Sequence, residues 1–155
     1  MVTTRSHTTS NVIVVGVDTH ADTHHAAILD LNGAILADAA FPTTTTGYQA
    51  LADWAAGYGL IDRIGIELTG SYGAGLTRHL TAAGIDTREV NTSDKATRAR
   101  HGKDDRSDAI AAARKVLAGM ATATPKDTTG TIESIRILTL VRDTAVTDRT
   151  RALNQ

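Results

Sequence analysis

Four acidic side chains stand where the predicted secondary structure would bring them together. Asp18 ends an apolar, β-branched run and Glu67 lies near the end of a second, shorter one, so both are predicted at the ends of strands. Asp105 and Asp108 are spaced i, i+3 and therefore share one face of a predicted helix. If that helix crosses the strand ends, the four carboxylates converge on one site.

A cluster of four carboxylates is unfavourable without cations, because neighbouring negative charges raise each other's pKa. Two Mg²⁺ ions would relieve this repulsion, since Mg²⁺ takes oxygen ligands, keeps several waters and needs few carboxylates. Two ions about 4 Å apart can hold the attacking and leaving oxygens of a phosphoryl transfer. The pattern predicts a two-metal catalytic site for Mg²⁺, with Mn²⁺ as a substitute, at Asp18, Glu67, Asp105 and Asp108.

Each acid has a simpler interpretation when it is taken alone. Asp18 could be a turn residue after a strand, and Glu67 could be a solvated residue at a strand end. Asp105 and Asp108 could be acids at a helix N-terminus, where the helix dipole favours negative charge. The combination of the four favours a shared site.

The apolar periodicity predicts three strands followed by alternating helices and strands. The pair Asn32-Gly33 is typical of a hairpin turn, Thr46 can cap a helix and Gly84 can end one. The predicted strands cover residues 11–19, 23–30, 34–41, 63–68 and 85–90. The predicted helices cover residues 46–58, 71–83, 104 or 105 to about 120, and 132–155, and the apolar positions of the third are Ile110, Ala113, Val116, Leu117 and Met120.

This order of elements predicts an α/β fold of the RNase H-like (RuvC-like) class. Such a fold has a mixed sheet with helices on both faces, here followed by a long C-terminal helix. The actin-like sugar-kinase fold starts in the same way, so the order alone does not decide between the two.

Four segments are expected along the chain. They are a disordered lead-in at 1–10, an RNase H-like catalytic domain at 11–120, a linker at 121–130, and the start of a long, coiled-coil-like helix at 131–155. The last helix has no glycine or proline stop signal, so we expect the sequence to be a piece of a longer protein.

Composition limits the class of protein further. The chain has no cysteine, which excludes disulfides and thiolate metal sites. It has no apolar run of the roughly 20 residues that span a bilayer, and no signal peptide, so we expect a cytoplasmic protein without a membrane partner. Residues 1–90 carry 4 basic and 9 acidic side chains, whereas residues 91–155 carry 12 basic and 8 acidic ones. The basic half could bind a polyanion.

A basic segment directly precedes and enters the third predicted helix. Basic side chains of this kind contact phosphates and position a nucleic acid without reading its sequence. The alternative is a solvated polar connector. We predict nucleic-acid contacts at Lys95, Arg98, Arg100, Lys103 and Arg106, and His101 lies in the same segment.

Three histidines follow the first acid closely, namely His20, His24 and His25. Histidine clusters can bind zinc, but no further nitrogen or sulfur ligand has suitable spacing here. Such histidines more often line a strand or touch substrate, and we assign them no metal.

Four stretches resemble the N-terminal DEDD domain of the insertion-sequence-110 family of transposases, the bridge-RNA-guided recombinases. They are Val15–Asp18, Ile66–Tyr72, Val90–Asn91 and Lys103–Ala109. The last is similar to the family's Lys-x-Asp-x-x-Asp-Ala pattern, which selects Asp105 as the third acid and leaves Asp104 as a helix cap. The resemblance covers about residues 11–155.

The resemblance implies an RNase H/RuvC-like fold, magnesium at the four acids and DNA transposition guided by an RNA. We therefore expect DNA and a guide RNA as partners, and a homodimer or homotetramer of the full-length protein. It also implies a separate C-terminal domain whose serine attacks DNA. No serine of this chain receives that role, so the chain is expected to bind metal and nucleic acid without completing recombination.

Two other functions start from the same features. An actin-like ATPase or sugar kinase shares the opening strand and its aspartate, but needs a second phosphate loop and usually a longer chain. An RNA-binding scaffold with vestigial acids would keep its RNA affinity when divalent ions are removed.

Overall fold

A computed structural model of the chain describes residues 11–91, 104–125 and 130–153. The chain divides into two compact units, residues 1–125 and 126–155. The predicted lead-in at 1–10, and the basic positions from Lys95 to Lys103, lie outside the described residues.

Five strands form one mixed sheet in the first unit. β1 to β3 are linked as antiparallel neighbours, whereas β4 and β5 add to the sheet in parallel. The order across the sheet is β3-β2-β1-β4-β5. The strands are β1 (Val12–Thr19), β2 (Thr23–Asp30), β3 (Ile35–Pro42), β4 (Leu60–Glu67) and β5 (Thr87–Val90).

Helices cover both faces of the sheet, which confirms the predicted fold class. The helices are α1 (Thr45–Ala56), α2 (Ala74–Ala82), α3 (Asp105–Leu117) and α4 (Thr131–Leu153). α1 and α2 pack on one face and α3 packs on the other. α4 forms the second unit, and its large apolar side chains from Ile135 onward are exposed. No helix within the described part of the chain is long and apolar enough to cross a membrane.

Side chains of β1 alternate between the two layers, as a strand requires. Ile13, Val15 and Val17 pack in the cluster with α1 and α2. Val14 packs in the cluster with α3, so the alternation directs Asp18 to the α3 face as well. The first acid is therefore on the side of the sheet where α3 lies.

α3 contacts the sheet backbone almost directly at Gly16. A Cβ atom on Gly16 would lie 2.1 Å from the backbone nitrogen of Ala113 and 2.2 Å from the backbone oxygen of Ala109. On the neighbouring strand, a Cβ on Gly65 would lie 2.3 Å from Cγ2 of Val116. These two glycines let the helix lie over β1 and β4, with its N-terminal turn toward the strand ends that carry the acids.

Two of the predicted helix starts were wrong. α1 is capped by Thr44 rather than Thr46, because the Thr44 hydroxyl accepts a hydrogen bond from the Gly47 nitrogen at 3.1 Å. α2 begins at Ala74 rather than residue 71. A turn precedes it, in which Leu68 has a φ of 51° and its carbonyl accepts bonds from the nitrogens of Ser71 and Gly73.

At the other elements, the largest shifts of a predicted boundary are at β4 and α3. β4 begins at Leu60, three residues before the predicted start, because the Leu60 nitrogen bonds to the Asn11 carbonyl. α3 ends at Leu117 and is followed by Gly119 with a φ of 70°. Met120 was predicted on the apolar side of this helix, but it lies beyond the helix end and is 69% exposed.

Replacement of Gly16 by alanine should destabilise the first unit, because the added methyl group meets helix backbone that cannot rotate away. We expect a loss of about 1–3 kcal/mol in the free energy of unfolding, measured by urea titration. Gly70→Ala is the matched control, since nothing lies within 4 Å of a Cβ at that position. Equal unfolding midpoints for the two variants would contradict the close approach of α3.

Low pH should destabilise the fold through His24. This residue is fully buried in β2 and stacked on Tyr48, with ring centroids 5.7 Å apart. Burial lowers the pKa of His24 below its ordinary value of 6.5. The unfolded chain therefore binds this proton more readily, so stability present above about pH 6.5 is lost as the pH falls toward the folded-state pKa.

The contribution of this histidine can be isolated by comparing the wild type with His24→Phe, which keeps an aromatic ring. We expect the free energy of unfolding to fall more steeply in the wild type, by up to about 1.4 kcal/mol per pH unit. Parallel stability profiles between pH 7.5 and 5 would show that His24 does not titrate as expected.

Candidate metal centre

The first two acids lie side by side at the carboxyl ends of parallel strands. Val17 of β1 is paired with Ile66 of β4, so Asp18 and Glu67 follow one residue later on neighbouring strands. Both are buried, with 3% and 4% of their surface exposed. Thr19 joins the two strand ends, because its hydroxyl donates to the Glu67 carbonyl at 2.9 Å. A buried carboxylate is stable beside a cation or hydrogen-bond donors, so a pair of them at one sheet edge is a position that a cation would suit.

The other two acids lie in the first turn of α3, behind a helix cap. The Asp104 carboxylate accepts hydrogen bonds from the Ser107 hydroxyl at 2.8 Å and from the Arg106 nitrogen at 3.3 Å. The bond from Ser107 is the main cause of a lowered pKa for Asp104. The predicted capping role of Asp104 is confirmed, because its carboxylate bonds to groups in the first turn of α3. Asp105 is the acid that extends toward the strands.

His20 lies between Asp18 at the end of β1 and Asp105 in the first turn of α3. Its Nε2 atom is 3.1 Å from Oδ2 of Asp18 and 3.0 Å from Oδ1 of Asp105. One potential ligand atom from each of the three residues lies within 4.8 Å of the other two. The His20 and Asp105 side chains are 30% and 45% exposed, so the group is open on one side while Asp18 closes the other. Two carboxylates and an imidazole at this spacing could hold a divalent cation.

The structure brings two of the four predicted acids into this group and leaves two beside it. Asp18 and Asp105 belong to the group. Glu67 is on the strand next to Asp18, and Asp108 is half-buried one turn further along α3 than Asp105. Among the residues that the structure describes, His20, Asp18 and Asp105 are the set whose donors already lie at metal-binding spacing.

Arg106 was predicted to contact nucleic acid, and in the structure it is part of an ion-pair network. Its Nε atom donates to Oδ1 of Asp38 at 2.7 Å, and Nε2 of His25 lies 3.0 Å from Oδ2 of the same carboxylate. The hydrogen bond from Arg106 is the main cause of a lowered pKa for Asp38, and the bond with His25 lowers it further. His25 is paired with Asp18 across β1 and β2, so the network links the first turn of α3 to the strands around the site.

The three clustered histidines separate into three environments. His24 is buried against Tyr48, His25 bonds to Asp38, and His20 joins the acids. The expectation that such histidines line a strand holds for His24 and His25, which are both in β2. The sequence predicted neither the place of His20 beside the acids nor a role for Asp38. The signal for His20 was its place two residues after the acid, where a turn can fold back over the strand end.

Solved structures share this fold. RuvC of Thermus thermophilus in complex with a Holliday junction substrate gives a TM-score of 0.52 at 12% identity, over 74% of this chain and 99% of that chain. A second structure of Thermus thermophilus RuvC gives 0.51 at 14% identity, with the same coverage. The Fowlpox virus resolvase in complex with substrate Holliday junction DNA gives 0.50 at 12% identity, over 70% and 98% of the two chains. At these identities the likeness establishes a RuvC-like fold.

Sequence comparison assigns the family. No curated protein sequence matches the chain. The family model for the DEDD transposases of insertion sequence 110, described as a transposase, matches residues 15–155 and so spans both units. This match, together with the RuvC-like fold, means that the chain belongs to the insertion-sequence-110 family of DEDD transposases.

Proposed function

We propose that this chain is the metal-dependent catalytic domain of a transposase that cuts and transfers DNA strands during movement of an insertion sequence, guided by an RNA. The observation that carries the proposal is the approach of Asp105 on α3 to Asp18 at the end of β1, with His20 between them. Membership of a transposase family and the RuvC-like fold support the same reaction class.

The four acids are proposed to bind two Mg²⁺ ions, for which Mn²⁺ can substitute. Asp18 and Glu67 supply carboxylates from the rigid sheet, and Asp105 and Asp108 supply them from the first turn of α3. Bound ions would polarise the scissile phosphate and offset the charge that develops on the attacking and leaving oxygens. The two sheet residues are buried, so their carboxylates are held in place before any ligand arrives.

Nucleic acid is proposed to approach from the open side of the site. Asp105 is half-exposed there, and Arg106 beside it is half-exposed as well. One nitrogen of Arg106 is bound to Asp38, which leaves further guanidinium donors for a phosphate. Lys95, Arg98, Arg100 and Lys103 precede this turn in sequence and are proposed as additional phosphate contacts. RuvC and the Fowlpox virus resolvase were each solved with a Holliday junction, which fits DNA as the substrate.

The domain division and the assembly belong to the same proposal. We place the catalytic domain at residues 11–120, a linker at 121–130, and an assembly helix after it. In α4, apolar side chains such as Leu138, Val141 and Val146 are more than half exposed, which favours burial against another helix. A homodimer or homotetramer of the full-length protein, with a guide RNA, would bury them. A serine-bearing domain outside this chain would complete recombination.

Asp18→Asn should abolish tight binding of divalent ions, because the amide removes the buried negative charge and keeps the side-chain shape. We expect at least about a tenfold loss of Mn²⁺ and Mg²⁺ affinity by calorimetric titration. A loss of that size is typical even when the replaced residue only bonds to a metal ligand. Asp53→Asn, which alters an exposed acid of α1, is the matched control and should bind like the wild type. Unchanged affinity in Asp18→Asn would remove the proposed site.

Replacement of Lys95, Arg98, Arg100 and Lys103 by glutamine should weaken binding of duplex DNA and reduce its salt dependence. If all four contact phosphates, the slope of log affinity against log salt concentration should fall in magnitude by about 3 to 4. The matched control removes four charges from α4 instead, at Arg136, Arg142, Arg149 and Arg151. A slope for the Lys95, Arg98, Arg100 and Lys103 variant equal to that of the wild type would assign these four residues to a solvated connector.

A further inference from the structure

The centre contains a nitrogen donor that a purely carboxylate site would lack. We propose that His20 binds the metal ion directly through Nε2, together with Asp18 and Asp105, and that this site therefore prefers a transition-metal ion such as Mn²⁺ to Mg²⁺. The inference rests on the proposed function, because it requires that Asp18 and Asp105 bind a cation.

The distances match those between ligands that share one ion. Two ligands at a right angle, each about 2.1 Å from an octahedral ion, lie about 3.0 Å apart. Nε2 of His20 lies 3.1 Å from the Asp18 oxygen and 3.0 Å from the Asp105 oxygen. The imidazole nitrogen therefore lies as far from each carboxylate oxygen as two neighbouring ligands of one ion lie from each other.

The turn after β1 holds His20 in this position. The backbone nitrogen of His20 donates to the Thr23 carbonyl at 3.2 Å, and the Thr43 hydroxyl donates to the backbone carbonyl of His20 at 3.4 Å. These two bonds hold the backbone of His20 just after the end of β1. The other two histidines of the cluster are engaged elsewhere, His24 in the core and His25 at Asp38. His20 is the member of the three that faces the acids.

An imidazole ligand changes which ion the site favours. Mg²⁺ selects oxygen ligands, whereas imidazole nitrogen suits transition-metal ions. Mn²⁺ accepts both carboxylate oxygen and imidazole nitrogen, and its unpaired electrons report directly on the atoms bound to it. This makes Mn²⁺ the informative probe for a mixed site of two carboxylates and one histidine.

Pulsed electron paramagnetic resonance of the Mn²⁺-loaded chain tests the proposal without an activity assay. We expect electron spin-echo modulation from a directly bound imidazole nitrogen in the wild type and in His79→Ala. His79 is the matched control because it lies on α2, on the opposite face of the sheet, against Tyr48. The modulation should be lost in His20→Ala. In titrations, His20→Ala should weaken Mn²⁺ binding at least about tenfold and Mg²⁺ binding much less.

Three results would overturn the proposal, and they show whether the proposed function falls with it. Wild type that binds Mn²⁺ with no nitrogen modulation, or modulation that persists in His20→Ala, would mean that His20 only bonds to the acids in place of a cation. The four-acid centre would then stand without it. Wild type that binds no Mn²⁺ would overturn both this inference and the proposed function. The wild-type spectrum alone decides the first case, even if the His20 variant does not fold.

Discussion

The close approach of α3 to Gly16 is the contact on which the centre depends. Asp18 in the sheet and Asp105 in the helix are 87 positions apart in sequence. They come together because the backbone of α3 packs directly on the backbone of β1. A larger residue at Gly16 would hold the helix further from the sheet. The chemistry proposed here therefore rests on the absence of one side chain in β1, supported by the second glycine in β4.

Most of the fold was predictable because its signals are local. The β-branched run before Asp18, the Asn32-Gly33 turn and the helical periodicity after Asp104 each act within a few residues, and all were confirmed as elements. The errors fell at element ends, where neighbouring signals compete. Several consecutive threonines could each have capped α1, and Thr44 does so because its hydroxyl reaches the Gly47 nitrogen. Met120 followed the apolar pattern, but Gly119 had already ended the helix.

The site was only partly predictable, because its geometry depends on contacts between distant segments. Residue type and spacing were enough to propose the four acids and to separate the cap Asp104 from Asp105. The place of His20 two residues after Asp18 is a local signal, but it does not reveal a contact at 3.0 Å with an aspartate 85 positions away. Nothing local indicates that Asp38 binds Arg106 across 68 positions. Electrostatics explains both contacts. Each contact joins a carboxylate to a nitrogen-bearing side chain from a distant segment, and a carboxylate favours a positive or hydrogen-bonding group beside it.

The central claim is that distant acids surround a bound cation at the ends of β1 and β4. The most direct measurement is a crystal structure of the chain grown with Mn²⁺, with anomalous diffraction recorded to locate the ion. We predict an anomalous peak within ligand distance of carboxylate oxygens from both Asp18 and Asp105. Mn²⁺ bound at another surface of the first unit, with this group empty in the same crystal, would contradict it.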